Sequence, residues 1–327
     1  MPRSGGSETV AAFGRDKQGF SALIAASSSM REVLRLASQV ARTDATILIQ
    51  GESGTGKEVL ARALHEESHQ KGGPFIKVDC AALPETLLEN ELFGHEKGAF
   101  TDAFAKKLGR LELAHEGTLF LDEVGGMSPP LQAKILRVLE ERAFERVGGT
   151  ETIRVDVRII AATNRNLKEA LRENRFREDL YFRLNVFPLR LPPLRRRRED
   201  ISLLAKTFLA HYARKYEKAV RGLNQEAFGL LLRYPWPGNV RELEHTIERA
   251  VLLSEGPILG PEDLGLDLLA VGLEDSAEDE GMTLSELERE YIKRVLRKVR
   301  GHKGRAAKIL GINRKTLLEK RKRYGLD

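Results

Sequence analysis

The chain has 327 residues, 41% apolar and 31% charged, so it can bury one large core plus a smaller one and is not wholesale disordered. Its single Cys80 excludes an internal disulfide, no apolar run approaches the roughly 18 residues of a membrane span, and no signal-peptide pattern opens it; a cytoplasmic protein without a membrane partner is expected. The net charge of +6 is uneven: from Thr283 onward 15 Lys and Arg face 5 Asp and Glu, which leaves the first 282 residues at −4 and marks the tail for nucleic acid.

Residues 1–21 are rich in Gly and Ser, which predicts a flexible lead. Ser29 to Glu32 has capping-box spacing, and Met30, Val33, Leu34, Ala37, Val40 and Ala41 then follow a helical stripe. Thr46–Gln50 (TILIQ) reads as a strand, Gly51–Glu58 (GESGTGKE) as a glycine-rich turn and Val59–Glu66 as a helix. That order is the setting of a phosphate-binding loop, in which glycines turn backbone N–H groups inward around an anion and the helix N-terminus adds positive charge. Gly51, Glu52, Ser53, Gly54, Thr55, Gly56, Lys57 and Glu58 are the candidate ATP contacts, with Lys57 reaching the terminal phosphates. Glu58 stands where such loops commonly place a Ser or Thr on magnesium, so a carboxylate elsewhere must serve the metal.

Pro74–Val78 is a second predicted strand, closed by Asp79, and Leu87–Ala105 is less regular. Thr118–Leu121 (TLFL) is a third strand and runs into Asp122-Glu123. A strand end places these acids on the rim where α/β ligands bind. Asp122 is the candidate Mg2+ ligand and Glu123 the candidate base for the attacking water. Ser128-Pro129 opens a helix whose buried face is Leu131, Ile135, Val138 and Leu139. Val155–Thr163 is a fourth strand, ending at Asn164, whose amide can orient the water; Asp79 can hydrogen-bond Glu123 in one nucleotide state. Arg177 and Arg183 are candidates for the charge that develops in phosphoryl transfer, or else a solvated face paired with nearby Glu178 and Asp179; an arginine supplied by a neighbouring subunit would demand a ring. Phe187–Leu191 is a fifth strand. Alternating strands and helices predict a parallel sheet covered on both faces.

After the run Arg195–Arg198, read as a solvated helix lead-in, the texture is helical over Ile201–Tyr216, Gln225–Arg233 and Val240–Leu253. The predicted division is 1–21 lead, 22–194 α/β unit, 195–265 helical lid, 266–282 acidic linker and 283–327 helix-turn-helix. In the last unit Leu284, Leu287, Tyr291, Val295 and Val299 trace a helix face from a Thr283 cap. Arg305–Leu310 is a short helix, Gly311 a turn and Asn313 the cap of a third helix dense in Lys and Arg. The candidate contacts to double-stranded DNA are Lys303, Arg305, Asn313, Arg314, Lys315, Thr316, Lys320 and Arg321.

Taken together, these motifs resemble one family from about Leu23 to the end: bacterial AAA+ activators of sigma-54 RNA polymerase, of the nitrogen-regulator type. GESGTGKE is similar to its Walker A, Gly109–Val124 to its Walker B segment and Arg158–Arg165 to sensor I, with Asn164 as sensor. Phe176–Arg195 resembles the segment carrying two arginine fingers, which fall on Arg177 and Arg183; Trp236–Glu244 (WPGNVRELE) resembles sensor II, with Arg241 touching nucleotide. The tail is similar to a Fis-type helix-turn-helix. The resemblance implies an AAA+ P-loop ATPase with a helical lid, using ATP and Mg2+. It assembles from dimers to a hexameric ring, binds enhancer DNA and remodels closed sigma-54 polymerase complexes into open ones. The family's sigma-contact loop GAFTGA falls on Gly98, Ala99, Phe100, Thr101, Asp102 and Ala103, here GAFTDA; Phe100 and Thr101 are the implied sigma contacts. Asp102 in place of Gly removes backbone freedom and adds charge, which sets up the alternative of a regulator acting on a polymerase without sigma-54. Asp79 stands where many members carry Asn. No receiver or ligand-sensing segment precedes the ATPase, so control is expected from a segment cut away or from a separate protein.

Overall fold

Near-continuous apolar runs in the central strands, whose successive residues point to opposite faces, set the architecture of the larger unit. The computed structural model describes residues 19–100, 103–266, 284–298 and 302–325. Its main sheet consists of β1 (Ile47–Gln50), β2 (Phe75–Asp79), β3 (Gly117–Asp122), β4 (Val157–Thr163) and β5 (Phe187–Arg190). All pairings are parallel, in the order β2-β3-β4-β1-β5. Ile47, Ile49, Phe120, Ile160 and Ala162 point to one face and pack on Met30 and Val33 of α1 (Ser28–Val40) and Leu60 and Leu64 of α2 (Lys57–Glu66). Leu48, Leu119, Leu121 and Ala161 point to the other, against Leu88 and Leu92 of α3 (Glu85–Phe93) and Leu131 and Ile135 of α4 (Pro129–Glu141). The register sets Asp79 beside Asp122 and Gln50 beside Thr163, so the carboxyl ends of four strands share one rim.

The expected helices mostly form, with two instructive differences. The first helix is capped by Ser27 rather than Ser29: Ser27 Oγ accepts from Met30 N, while Asp200 Oδ1 accepts from Ser27 N at 2.7 Å and fixes the cap. The stretch read as irregular contains α3, then a two-stranded hairpin, Gly94–His95 with Lys107–Leu108. A second hairpin, Ala143–Glu145 with Thr152–Arg154, was also not anticipated. Beyond the short helix α5 (Glu178–Leu184) come α6 (Arg198–Lys215), α7 (Gln225–Arg233) and α8 (Asn239–Leu253). Trp236 is fully buried between them and its Nε1 donates to Leu231 O at 2.8 Å.

The chain divides into two compact units, Met1–Leu266 and Asp267–Asp327. The second holds α9 (Leu284–Lys298), α10 (Lys303–Ile309) and α11 (Arg314–Tyr324) around Ile292, Val295, Ala306, Ala307 and Leu317. Tyr291, expected on the buried stripe of α9, is 41% exposed; Ile292 takes the inward place. Of the expected lead, residues 19–21 belong to a short 3₁₀ turn, Gly19–Ala22. The rest of the lead, Thr101, Asp102, linker residues 267–282, Thr283 and Val299 lie outside the described residues.

Candidate nucleotide site

The loop between β1 and α2 turns through two glycines of positive φ, Gly54 at 77° and Gly56 at 103°. A Cβ on Gly54 would also lie 2.2 Å from Gly238 O, so close backbone approach fixes this residue as glycine twice over. Lys57, at the start of α2, is buried and folds back over the loop, donating to Gly51 O at 3.0 Å. Its Nζ also lies 3.2 Å from Glu123 Oε1.

Asp122 ends β3, and Glu123 follows in the left-handed region at φ 56°, uncommon for a residue with a side chain. That turn aims the carboxylate across the rim: Glu123 Oε2 accepts from Asn164 N at 2.9 Å. The sequence reading gave the contact with Glu123 to Asp79, and gave Asn164 only the orienting of water through its side-chain amide; here the Asn164 backbone N–H makes the contact. Burial pushes the Asp122 carboxyl above the usual carboxylate range, and Lys77, 3.4 Å away, opposes that shift. Asp122 Oδ1 is buried and accepts no hydrogen bond from the described residues. A buried carboxylate oxygen with free lone pairs on this rim fits a hard cation. Glu58 lines the same cleft, and its carboxylate is engaged by Lys77 at 2.6 Å and Arg62 at 3.1 Å. Burial alone would raise its pKa, but these cations outweigh it and hold the carboxyl low. Asp79 is not joined to Glu123; its Oδ1 accepts from Ala81 N at 2.9 Å.

Residues from both the sheet and the lid enclose a cleft of about 310 Å³ lined by Ser53, Gly54, Lys57, Asp122, Glu123 and Arg241, among others. Arg241 Nη1 donates to Ser53 Oγ at 3.2 Å. Arg177 and Arg183 do not line this cleft. Both are exposed on or beside α5, and Arg177 is paired with Asp179 at 2.8 Å.

Several structural partners of the loop were missed. The arginine run is not a uniformly solvated lead-in: Arg197 is 3% exposed and donates to Thr55 O at 2.7 Å, while Arg195 holds Glu52 through both guanidinium nitrogens. Asn239 is fully buried, with Nδ2 donating to Ser53 O at 3.0 Å and Oδ1 accepting from Leu194 N. The one signal in the sequence is an Asn directly after Pro-Gly; it takes φ 54°, a conformation Asn tolerates. Glu244 also lines the cleft; its buried carboxyl is pushed up to about 7, chiefly by desolvation, and accepts from Tyr212 Oη at 2.9 Å.

The sigma-54 interaction domain family matches residues 23–190, the segment that holds this rim and its loop. The chain belongs to the family of sigma-54-dependent transcriptional activators. The AAA+ ATPase lid domain matches residues 195–281, and the Fis family of bacterial regulatory proteins matches residues 283–324. The chain is 49% identical over 313 residues to the regulatory protein AtoC of Escherichia coli K12, covering 92% of this chain and 67% of AtoC. It is 50% identical over 298 residues to the transcriptional regulatory protein ZraR of Salmonella typhimurium LT2, covering 91% and 68%. Crystal structures of NtrX from Brucella abortus in complex with ADP and with ATP each align with TM-score 0.70 and 37% identity, over 93% of this chain and 69% of NtrX.

Within this activator the loop at Gly98–Ala103 is closed at its base: Gly98 N donates to Ala103 O at 2.8 Å and Ala103 N to Phe100 O at 3.0 Å. Ala99 abuts Gly148, Ala103 is buried, and Phe100 is 40% exposed with its ring edge-on to His95. Arg146, buried and absent from the sequence reading, binds Glu96 at 2.7 Å and also Glu112, which ties the second hairpin to the loop base. In the Fis-type unit Lys303, Arg305, Arg314 and Lys315 are exposed. The remaining candidates are engaged internally to different degrees. Asn313 Oδ1 accepts from Thr316 N and Thr316 Oγ1, and Lys320 is paired with Glu288 at 2.5 Å; Arg321 is half-buried. No helix among the described residues is long and apolar enough to cross a membrane.

Proposed function

We propose that this chain is an ATP-hydrolysing activator that assembles from dimers into a hexameric ring in the cytoplasm. In this reading it binds enhancer DNA through its tail and converts closed sigma-54 polymerase complexes into open ones. The observation that carries the reading is the convergence of Lys57, Asp122, Glu123 and the Asn164 N–H on one rim above a glycine loop. The division into 22–194, 195–265 and 283–327 is kept, with 1–21 and 266–282 as lead and linker.

Lys57 binds the terminal phosphates, and the arrival of an anion draws it from Glu123. Glu123, still held by Asn164 N–H, then accepts the proton of the attacking water. The Asn164 side chain orients that water, and Arg241 holds the nucleotide from the lid side. Asp122 is the residue to hold Mg2+, which supplies charge neutralisation on the phosphates when bound. Arg177 and Arg183, absent from their own cleft and exposed, serve the cleft of the next subunit. NtrX structures with ATP and ADP support nucleotide as the ligand. Phe100 and Thr101 contact sigma-54. Exposed Lys303, Arg305, Arg314 and Lys315, with Arg321, contact DNA.

Asp102 in the GAFTDA loop favours the second reading, action on a polymerase without sigma-54. The deciding assay is open-complex formation on a sigma-54 promoter with ATP, comparing the parent, Asp102→Gly and Glu123→Gln. Opening by the parent supports the proposal, and Glu123→Gln should bind ATP but turn over at least ~100-fold more slowly. No opening by the parent and none by Asp102→Gly, with ATPase intact, refutes it. Opening by Asp102→Gly alone assigns the loss to that residue and favours the second reading.

A further inference from the structure

Lys77 is out of place for a strand of a parallel sheet covered by helices, where apolar residues are the rule. Phe75, two residues earlier on β2 and on the same face, packs into the core beneath α2. Lys77 instead extends along that face to the rim. Its Nζ lies 2.6 Å from Glu58 Oε2 and 3.4 Å from Asp122 Oδ2. Glu58 occupies the place after Lys57 where a hydroxyl would serve magnesium directly, but its carboxylate is turned to Lys77 and Arg62. The other oxygen of Asp122 is buried and accepts no hydrogen bond from the described residues. A cation tethered by one carboxylate is therefore held against the carboxylate that fits the metal.

From this geometry we infer that Lys77 is a resident counter-cation of the metal position, tethered by Glu58, that competes with Mg2+ for Asp122. The inference rests on the nucleotide-site reading above. Lys77 acts through Asp122 and touches neither phosphate nor water, so it is a positioning residue. Its charge neutralises Asp122 while no divalent cation is bound and repels one that arrives. The tether sets the strength of competition: with Glu58 neutralised, Lys77 has Asp122 as its remaining acidic partner among these contacts and leans on it harder.

The test is binding of a fluorescent ADP analogue at pH 8, titrated with Mg2+ from an EDTA-treated start. Lys77→Gln should lower the Mg2+ concentration for half-maximal binding by roughly three- to tenfold, a partly screened single charge a few ångströms from the cation. Glu58→Gln should move it in the opposite direction, and Lys77→Arg should restore the parent value. A structural lesion would weaken binding, so tightening in Lys77→Gln separates competition from damage. An unchanged or raised midpoint in Lys77→Gln, with Mg2+-free nucleotide binding equal to the parent's, overturns the inference. Absence of analogue binding by the parent itself overturns the nucleotide-site reading and this inference with it. That outcome is distinguishable because the parent then shows no signal at any Mg2+ concentration.

Discussion

Glu244 should make the lid sensitive to pH near neutrality, and Glu244→Gln should remove that sensitivity. The carboxyl is 3% exposed on α8, and burial raises its pKa from an ordinary 4.5 to about 7. Glu248 adds to the rise, while Tyr212, Arg241 and Lys215 oppose it. A carboxyl that binds its proton more tightly in the folded chain favours folding most below pH 4.5. That contribution is lost as pH rises through about 7. The full span corresponds to about 3 kcal/mol at 1.36 kcal/mol per pKa unit, and the two ionisation curves place about 2 kcal/mol of it between pH 5.5 and 8.0. Gln keeps an oxygen for Tyr212 Oη and has no charge to bury. Urea unfolding followed by Trp236, the sole tryptophan and a buried lid residue, reads the effect directly. Relative to Glu244→Gln, the parent should lose about 2 kcal/mol over that interval. Parallel pH profiles for the two proteins would refute the argument, because every other ionisation is common to both.

Gly54→Ala should cost about 1–3 kcal/mol and reduce nucleotide binding, since the new Cβ meets Gly238 O at a backbone of φ 77°; denaturation and analogue binding measure both. On the proposed reading Arg183→Ala and Glu123→Gln should each lose ATPase, yet mixing them should recover a fraction of it, because one subunit would keep the base and its neighbour the arginine. Failure of mixed subunits to recover turnover, with assembly intact, would place Arg183 outside the catalytic contact. Cys80, the only cysteine, is 2% exposed, and burial with three nearby carboxylates pushes its thiol up. A thiol reagent should modify it only at the rate of unfolding, and fast labelling of the folded chain would contradict the packing.

The chemistry of the rim was legible because each part is contiguous in sequence. GESGTGKE carries its own strand and helix, and Asp122-Glu123 and Asn164 end apolar runs that a parallel sheet must align. The bonds that hold the rim together were not legible. Arg197 reaches Thr55 across 142 positions and Asn239 reaches Ser53 across 186, and no local pattern says which of four adjacent arginines turns inward. Likewise α3 hid because its apolar pairs are split by acids and Leu87 faces out at 52% exposure, which blurs the stripe. The hairpin holding Arg146 hid because its strands are only three residues each. In the tail, Tyr291 and Ile292 are adjacent and both apolar enough to belong to the core; packing against Ala306 and Leu317, not periodicity, chose Ile292.

How the lid meets the loop limits how nucleotide can be communicated. The carbonyls of Ser53, Gly54 and Thr55 accept from Asn239 Nδ2 at 3.0 Å, Val240 N at 3.0 Å and Arg197 Nη2 at 2.7 Å. Three successive peptide planes of the loop are thus fixed by the lid and its lead-in. In a trans peptide the N–H points away from the carbonyl, so the N–H groups of Gly54 and Gly56 face opposite to the lid contacts of Ser53 O and Thr55 O. A phosphate taken up by those N–H groups, as proposed for this loop, would therefore share its rigid planes with the lid bound to those carbonyls. Turning a plane to meet an anion costs a lid hydrogen bond unless the lid moves with it. Arg197 adds a second restraint: it is buried, and its neighbour Asp200 caps α1 through Ser27. Motion of the loop is consequently coupled both to the lid and to the first helix of the sheet unit, and glycine at position 54 is what lets the lid backbone approach closely enough to make the connection.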